Sequence, residues 1–379
     1  MRKWVVLLLA LGSAAPAMAA KNLSIEQMEQ LLAKLHGKPD GKVAQEIFDV
    51  ELTERVSGAR LARWEKENPG ERTREALVEL ADLSLFLKAP RGDAVPDPAP
   101  DEETQQKMLW LAVEYVKTTI TRLPNFIATR ETTYYESEPE TRTDNGLIVN
   151  RFRDLTSSGG SGTLRRVGSN SVTVTFREGH EVHDGKPATK KQDSPPSEMT
   201  SVGEFGPILE VVLGDAMRGA VEWQRWEAGE SDPVAVFRYE VPEQQSHYTA
   251  YLPREDKLEA HFPAYYGEIA IDPATGAILW LSLQSHMQPP FDKMRAAIEV
   301  EYAPVAIGER NYICPVKSVA WSTVPAFNPN IQRWNGPLTT FINDVTFKNY
   351  HVFRTESKIV SDGSGQPASD PAPASRPQP

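Results

Sequence analysis

A chain of 379 residues is long enough for two modest domains with a real core. A net charge of −11, with no Lys/Arg-rich block, excludes the basic footprint that nucleic acid or an anionic membrane surface requires. The single cysteine, Cys314, rules out an internal disulfide and, set in the apolar run Tyr312–Val316, reads as a buried structural thiol.

Residues 1–20 read as a cleavable signal peptide. Arg2 and Lys3 supply the positive start and Val5–Leu11 the apolar run, which falls short of the roughly 20 residues a spanning helix needs. Ala17-Met18-Ala19 gives the small-x-small cleavage pattern. No cysteine follows to carry a lipid, and no later stretch is apolar enough to cross a bilayer. The expected mature protein is therefore periplasmic or extracellular, with no integral membrane segment.

Residues 21–89 read as a helical module. Ser24 with Gln27 has capping-box spacing, Met28, Leu31, Leu32 and Leu35 recur at helical intervals, and Gly37 stops the helix. A second helix is expected over Val43–Phe48. A third would be capped by Thr53, with Val56, Leu61 and Trp64 on its apolar face, and a fourth would cover Glu71–Leu87. Residues 90–100, rich in Pro, Ala and Asp, read as a linker.

Residues 101–360 begin with a helix over Asp101–Arg122 that carries the stripe Met108, Leu111, Ala112, Tyr115, Val116. From Phe126 the period changes to two. Phe237, Tyr239 and Val241 oppose Arg238 and Glu240; Ile269 and Ile271 oppose Glu268; Ile298, Val300 and Tyr302 oppose Glu299 and Glu301. Phe341, Asn343, Val345 and Phe347 oppose Asp344 and Lys348 in the same way. Such alternation describes an antiparallel sheet wetted on one face. Asp272–Gly276, Arg177–His180 and Ile307–Arg310 read as hairpin turns. A helix over Phe205–Met217, with Ile208, Leu209, Val212 and Leu213 on one side, interrupts the strands. Gly185–Ser197 reads as a long exposed loop, and residues 361–379 as a disordered tail. The expected fold class is α+β: an N-terminal helical module, then a curved, half-barrel-like antiparallel sheet packed on one or two helices.

The segments SVGEFGPILEVVL, PVAVFRYEVP, SHYTAYLP, YYGEIAIDPATGAILWL and VEYAPVAIGERNYICPVKSV, with LPNFIATRETTYYE before them, resemble an uncharacterised family of secreted proteins from acidobacteria-like soil bacteria. The resemblance spans Leu123–Val319 and implies no activity. The unit GEIAIDPATGAILWLSL also resembles the periplasmic lipoprotein carriers and related sigma-factor regulators. That looser likeness implies a curved sheet that holds acyl chains in an apolar cavity.

Residues that bear chemistry give little support to catalysis. His180-Glu181-Val182-His183 places its histidines three apart on a strand, so they point to opposite faces, whereas a zinc protease needs four on a helix. Ser157–Gly162 lacks both the Gly-Lys-Ser/Thr ending of a phosphate loop and the Gly-x-Ser-x-Gly of a nucleophile elbow. Glu204 suits a helix start. No catalytic residue, metal site or cofactor is implied. The aromatic residues Trp223, Trp226, Phe237, Tyr239, Tyr248, Tyr251, Tyr265, Tyr266 and Trp280 crowd the central strands and are the best indication of a ligand. The candidate binding face is Phe237, Tyr239, Ile269, Ile271, Ile298, Val300 and Tyr302. Three expectations follow: a non-enzymatic binding or sensing protein that holds an apolar ligand or acyl chain in the curved sheet; a structural or protein-interaction module with a closed core that binds an envelope protein; or a hydrolase whose site only the fold assembles.

Overall fold

The structure, a computed structural model, describes residues 21–137, 141–144, 147–150, 164–183, 186–187, 204–229, 232–254, 257–328, 330–331 and 333–353. The expected signal peptide (residues 1–20), the Ser157–Gly162 segment, most of the polar stretch after Gly185 and the expected tail lie outside them. The chain is α+β, with its helices concentrated in the N-terminal part and a large open antiparallel sheet after them.

The helical module comprises β1 (Lys21–Leu23), α1 (Ile25–Leu35), α2 (Asp40–Phe48), β2 (Val50–Leu52), α3 (Gly58–Glu67) and α4 (Glu71–Ser84). The capping box at Ser24 is complete: Gln27 N–H donates to Ser24 Oγ, and Ser24 N–H donates to Gln27 Oε1 at 2.9 Å. Gly37 stops α1 with a left-handed φ of 78°. Met28, Leu32, Ile47, Trp64 and Leu77 form the module's own core. The third helix starts later than its pattern implies, at Gly58 with Ser57 as N-cap. Thr53 instead closes a short parallel pairing of β1 with β2, its N–H donating to Leu23 O at 3.0 Å. Val50, β-branched and buried, fits that strand.

The segment 90–100 is fastened rather than free. Arg91–Asp93 makes one 3-10 turn, and β3 (Ala94–Val95) pairs with the edge of the large sheet. Trp226 Nε1 donates to Pro98 O at 3.0 Å, and the Asp93 carboxylate pairs with Arg60 of α3.

After α5 (Glu102–Arg122) the chain forms β4 (Phe126–Ser137), β5 (Thr141–Asp144), β6 (Leu147–Asn150), β7 (Leu164–Arg177), β8 (His180–His183), β9 (Lys186–Pro187) and α6 (Pro207–Ala216). Then come β10 (Ala220–Glu227), β11 (Val234–Val241), β12 (Ala250–Arg254), β13 (Lys257–His261), β14 (Ala264–Ile271) and β15 (Ile278–His286). Three long strands finish the fold: β16 (Arg295–Ile307), β17 (Arg310–Asn328) and β18 (Arg333–Val352). Twelve strands make one sheet in the order β3-β10-β11-β14-β15-β16-β17-β18-β4-β7-β8-β9, every neighbouring pair antiparallel. Pairs β5–β6 and β12–β13 stand apart as separate hairpins. The long strands accommodate Pro315 and Pro325 beside register shifts, where a missing N–H does least harm to the ladder. The three expected turns are present, with positive φ at Gly179, Gly276 and Gly308.

Both faces of the sheet's central strands carry a packed layer. On the inner face, Met108, Ala112 and Val116 of α5 and Leu209, Val212, Leu213 and Ala216 of α6 pack on the central strands. On the outer face, Leu85 and the partly buried Phe86 beyond α4 pack on Tyr135, Ala297, Val319, Trp321 and Ile342. The alternation suggests a wetted outer face; instead it meets the helical module, whose own charges take the place of water.

One glycine is required by a close crossing. A Cβ on Gly267 would lie 1.8 Å from Ser282 O and 2.8 Å from Tyr239 Oη, a hydroxyl that itself donates to Ser282 O at 2.7 Å. Gly267→Ala should destabilise the fold by about 3 kcal/mol through this overpacking. Gly214→Ala, in the middle of α6 with open space around it, should stabilise by about 0.5 kcal/mol. Chemical denaturation of the two variants checks the pair; equal shifts would contradict the packing assigned to Gly267.

Candidate functional site

The seven residues of the expected binding face share one surface. Register carries a continuous row across the sheet: Trp223, Phe237, Ile269, Leu281, Val300, Ser318, Val345, Thr132 and Asn170. Phe237, Tyr239, Ile269, Ile271, Ile298, Val300 and Tyr302 are all buried in the same cluster as α5 and α6. The two helices occupy the space a ligand would take. A cavity of about 20 Å³ lies beside them among the described residues, against Tyr115, Val116, Leu209, Ile278, Tyr302 and Ile313. That is room for one water, where a ligand pocket runs to about 300 Å³ or more. Burial holds the Tyr239 and Tyr302 hydroxyls above the ordinary phenol range. Among the other aromatic residues, Trp223, Tyr248 and Tyr265 join this core, Trp280 lies on the outer face and Tyr251 is exposed.

Beyond β16 the inner face is mixed: Ser318, Ser322, Asn343, Thr132 and Arg130 are buried there, beside an apolar cluster of Phe126, Val174, Phe176, Phe205, Val345 and Phe347. Glu204, the residue expected at a helix start, lies before the N-cap of α6 with Arg130 Nη2 at 3.6 Å, and its carbonyl accepts from Tyr302 Oη at 3.2 Å. Glu181, on β8, shares this region; burial and the Glu204 charge push its carboxyl up to about 7.

The outer face carries the strongest electrostatics. Arg55, on the segment between β2 and α3, is buried with Nη2 at 2.8 Å from Glu227 and Nη1 at 3.7 Å from Glu299. Its guanidinium lies 4.2 Å over the Trp280 ring. Arg225 spans Glu227 and Glu268, at 2.5 and 2.9 Å. A second seam joins Lys317 of β17 to Asp82 of α4 at 3.0 Å and to Asp344 of β18 at 3.6 Å. Arg295 then stacks on Trp321 and Phe86, 4.9 and 5.1 Å from their centroids.

Each seam holds one carboxyl more than it has cations: three against Arg55 and Arg225, two against Lys317. The surplus makes one carboxyl in each seam hard to ionise. Burial, aided by Glu301, Glu227 and Glu268 against the pull of Arg55, pushes Glu299 up to about 8. Burial and the Asp344 charge raise Asp82. Desolvation lowers the Lys317 ammonium, but Asp82 and Asp344 outweigh it and raise it above the usual lysine range. Nearby, burial and Glu75 push Glu79 up to about 7.

Among the described residues no group of three His, Cys, Asp or Glu could hold a metal ion. His180 is exposed at the β7–β8 turn. His247 instead donates Nδ1–H to Asp215 at 2.6 Å, and its backbone N–H donates to the same carboxylate at 2.7 Å. Tyr265 Oη and Arg218 Nη2 donate to it as well, at 2.9 and 2.7 Å. Burial pushes the Asp215 carboxyl up, but these donors outweigh it and hold it below the usual range. The pair ties the segment after β11 to the end of α6; among the described residues the hydrogen bonds at His247 are made with Asp215 and Arg218. Asp215 and His247 stand 32 positions apart, and no local motif joins them.

A carboxyl whose folded pKa is raised favours the folded state at acidic pH and loses that contribution as pH climbs through its folded pKa. For Glu299 the window runs from the ordinary glutamate range to about 8. Glu299→Gln should therefore raise the urea midpoint at about pH 8 and change it much less at about pH 5. An identical pH slope in variant and parent would rule out a proton on Glu299.

No protein-family model, curated protein or solved structure matches this chain.

Proposed function

We propose that the protein is an exported binding module that works through its surface and devotes its interior to packing. The observation that carries this reading is the filled inner face: α5 and α6 close over Phe237, Ile269 and Val300, leaving a cavity of about 20 Å³. The signal-peptide pattern of residues 1–20 supports export. Exposed apolar side chains at one end of the sheet support a protein partner in the envelope. Tyr251 and Leu258 on the β12–β13 hairpin, Phe262 after it, Met217 after α6 and Ile331 between β17 and β18 are each 44 to 52% exposed, all on connections at the same rim. No helix among the described residues is long and apolar enough to cross a membrane.

Native mass spectrometry of the mature protein, with titration of a fluorescent fatty acid, tests the reading. It predicts no co-purifying lipid and no saturable uptake. Stoichiometric uptake would overturn it in favour of an acyl-chain carrier whose helices swing away from the sheet.

A further inference from the structure

The two edges of the large sheet differ in how they are defended. At one edge, β3 covers Trp226 and Glu227 of β10. The rest of β10 carries Glu222 and Arg225 and is bulged at Gln224. Covering, charge and bulges are the usual means of stopping a sheet from growing. At the other edge, β8 pairs with Thr175–Arg177 of β7 and no further. Among the described residues no strand flanks 168–174 on that side, and residues 166–173 are exposed. This run, Gly-Ser-Asn-Ser-Val-Thr-Val, has no charge and no proline.

The direction of its free hydrogen-bonding groups follows from the turn. Glu178 and Gly179, at φ 54° and 83°, make a two-residue hairpin loop. The residues flanking such a loop, Arg177 and His180, exchange both main-chain hydrogen bonds. Alternation then points the N–H and C=O of Ser169, Ser171 and Thr173 toward the open flank.

We propose that this edge pairs with its own copy, antiparallel, about a two-fold axis at Ser171. The register places Ser171 against Ser171, Ser169 against Thr173, Asn170 against Val172 and Gly168 against Val174. No like charges meet, and the hydroxyls of Ser169, Ser171 and Thr173 lie together on the outer face, where cross-strand Ser/Thr pairs are favourable. Length also fits. The run ends where β8 begins on one side and at the Val167 bulge on the other, and that bulge turns the strand aside where the partner's β8 would stand. Arg166, beyond the bulge, is held by Glu75 of α4 at 2.5 Å, away from the pairing run. About six main-chain hydrogen bonds would join the copies. So small an interface makes the dimer concentration-dependent.

Sedimentation of the full chain tests this independently of any partner or ligand. The wild-type protein should move from monomer to dimer as concentration rises. Ser171→Lys and Ser171→Glu, at an exposed position, should each lose the dimer, because like charges then face each other across the axis. An equimolar mixture of the two variants should regain it, which a merely structural defect would not allow. A wild-type chain that stays monomeric at every concentration overturns the proposal. So does a dimer that survives Ser171→Lys. Slow exchange of the Ser171 and Thr173 amides in a monomer would assign the edge to a covering segment of the same chain instead.

Discussion

The buried charge of Arg55 is the constraint on which the arrangement depends. It comes from the helical module and meets its partners on the sheet, Glu227 at 2.8 Å and Glu299 at 3.7 Å. A guanidinium removed from water without partners would be strongly unfavourable, and losing Glu227, the nearer of the two, would cost about 3–5 kcal/mol. The module therefore has one position on the sheet in which its charges are satisfied. The Lys317–Asp82–Asp344 seam makes the same demand from α4, and the two seams together define how the module sits. Buried ion pairs contribute little net stability compared with packed apolar groups. Their effect here is to specify one placement, while Leu85, Phe86 and Trp321 supply the apolar area.

With the outer face so covered, the inner face determines what the sheet can hold. Its row of side chains changes character partway across. From Phe237 to Val300 it is apolar, and α5 and α6 lie there. From Ser318 to Asn170 it includes Ser, Thr and Asn, beside the Arg130–Glu204 contact. The helices thus meet the apolar strands β11 to β16, while Phe205, just before α6, packs with Phe126, Phe176 and Phe347 in a second apolar cluster. Over the central strands both faces are taken up by packing among the described residues, which is why we propose recognition through the rim and the edges.

Much of this was legible in the sequence. Ser24, Gln27 and Gly37 announce α1 because caps are local chemistry, and Asp272–Gly276 announces a hairpin for the same reason. The faces of β11, β14 and β16 follow from a period of two. Two features were not legible. Alternating Glu299 and Glu301 with Ile298 and Val300 looks the same whether water or a second layer meets the acids, and Arg55 gives no local sign that it will cross to them. The start of α3 was misread because Thr53 is a good cap, while the β1–β2 pairing that claims it joins residues about thirty positions apart. The Asp215–His247 tie is non-local in the same way. As for the candidate site, the pattern correctly grouped Phe237, Tyr239, Ile269, Ile271, Ile298, Val300 and Tyr302 on one face. It could not say whether a ligand or a helix would lie against them, since both require the same apolar residues.

The central claim is that this face is sealed. Methyl NMR of the isoleucine- and valine-labelled protein with a spin-labelled fatty acid tests it most directly. The account predicts that the methyl signals of Ile269, Ile271, Ile298 and Val300 keep their intensity at saturating probe, whatever happens to methyls at the rim. Selective broadening of those four, reversed by reducing the spin label, would contradict it.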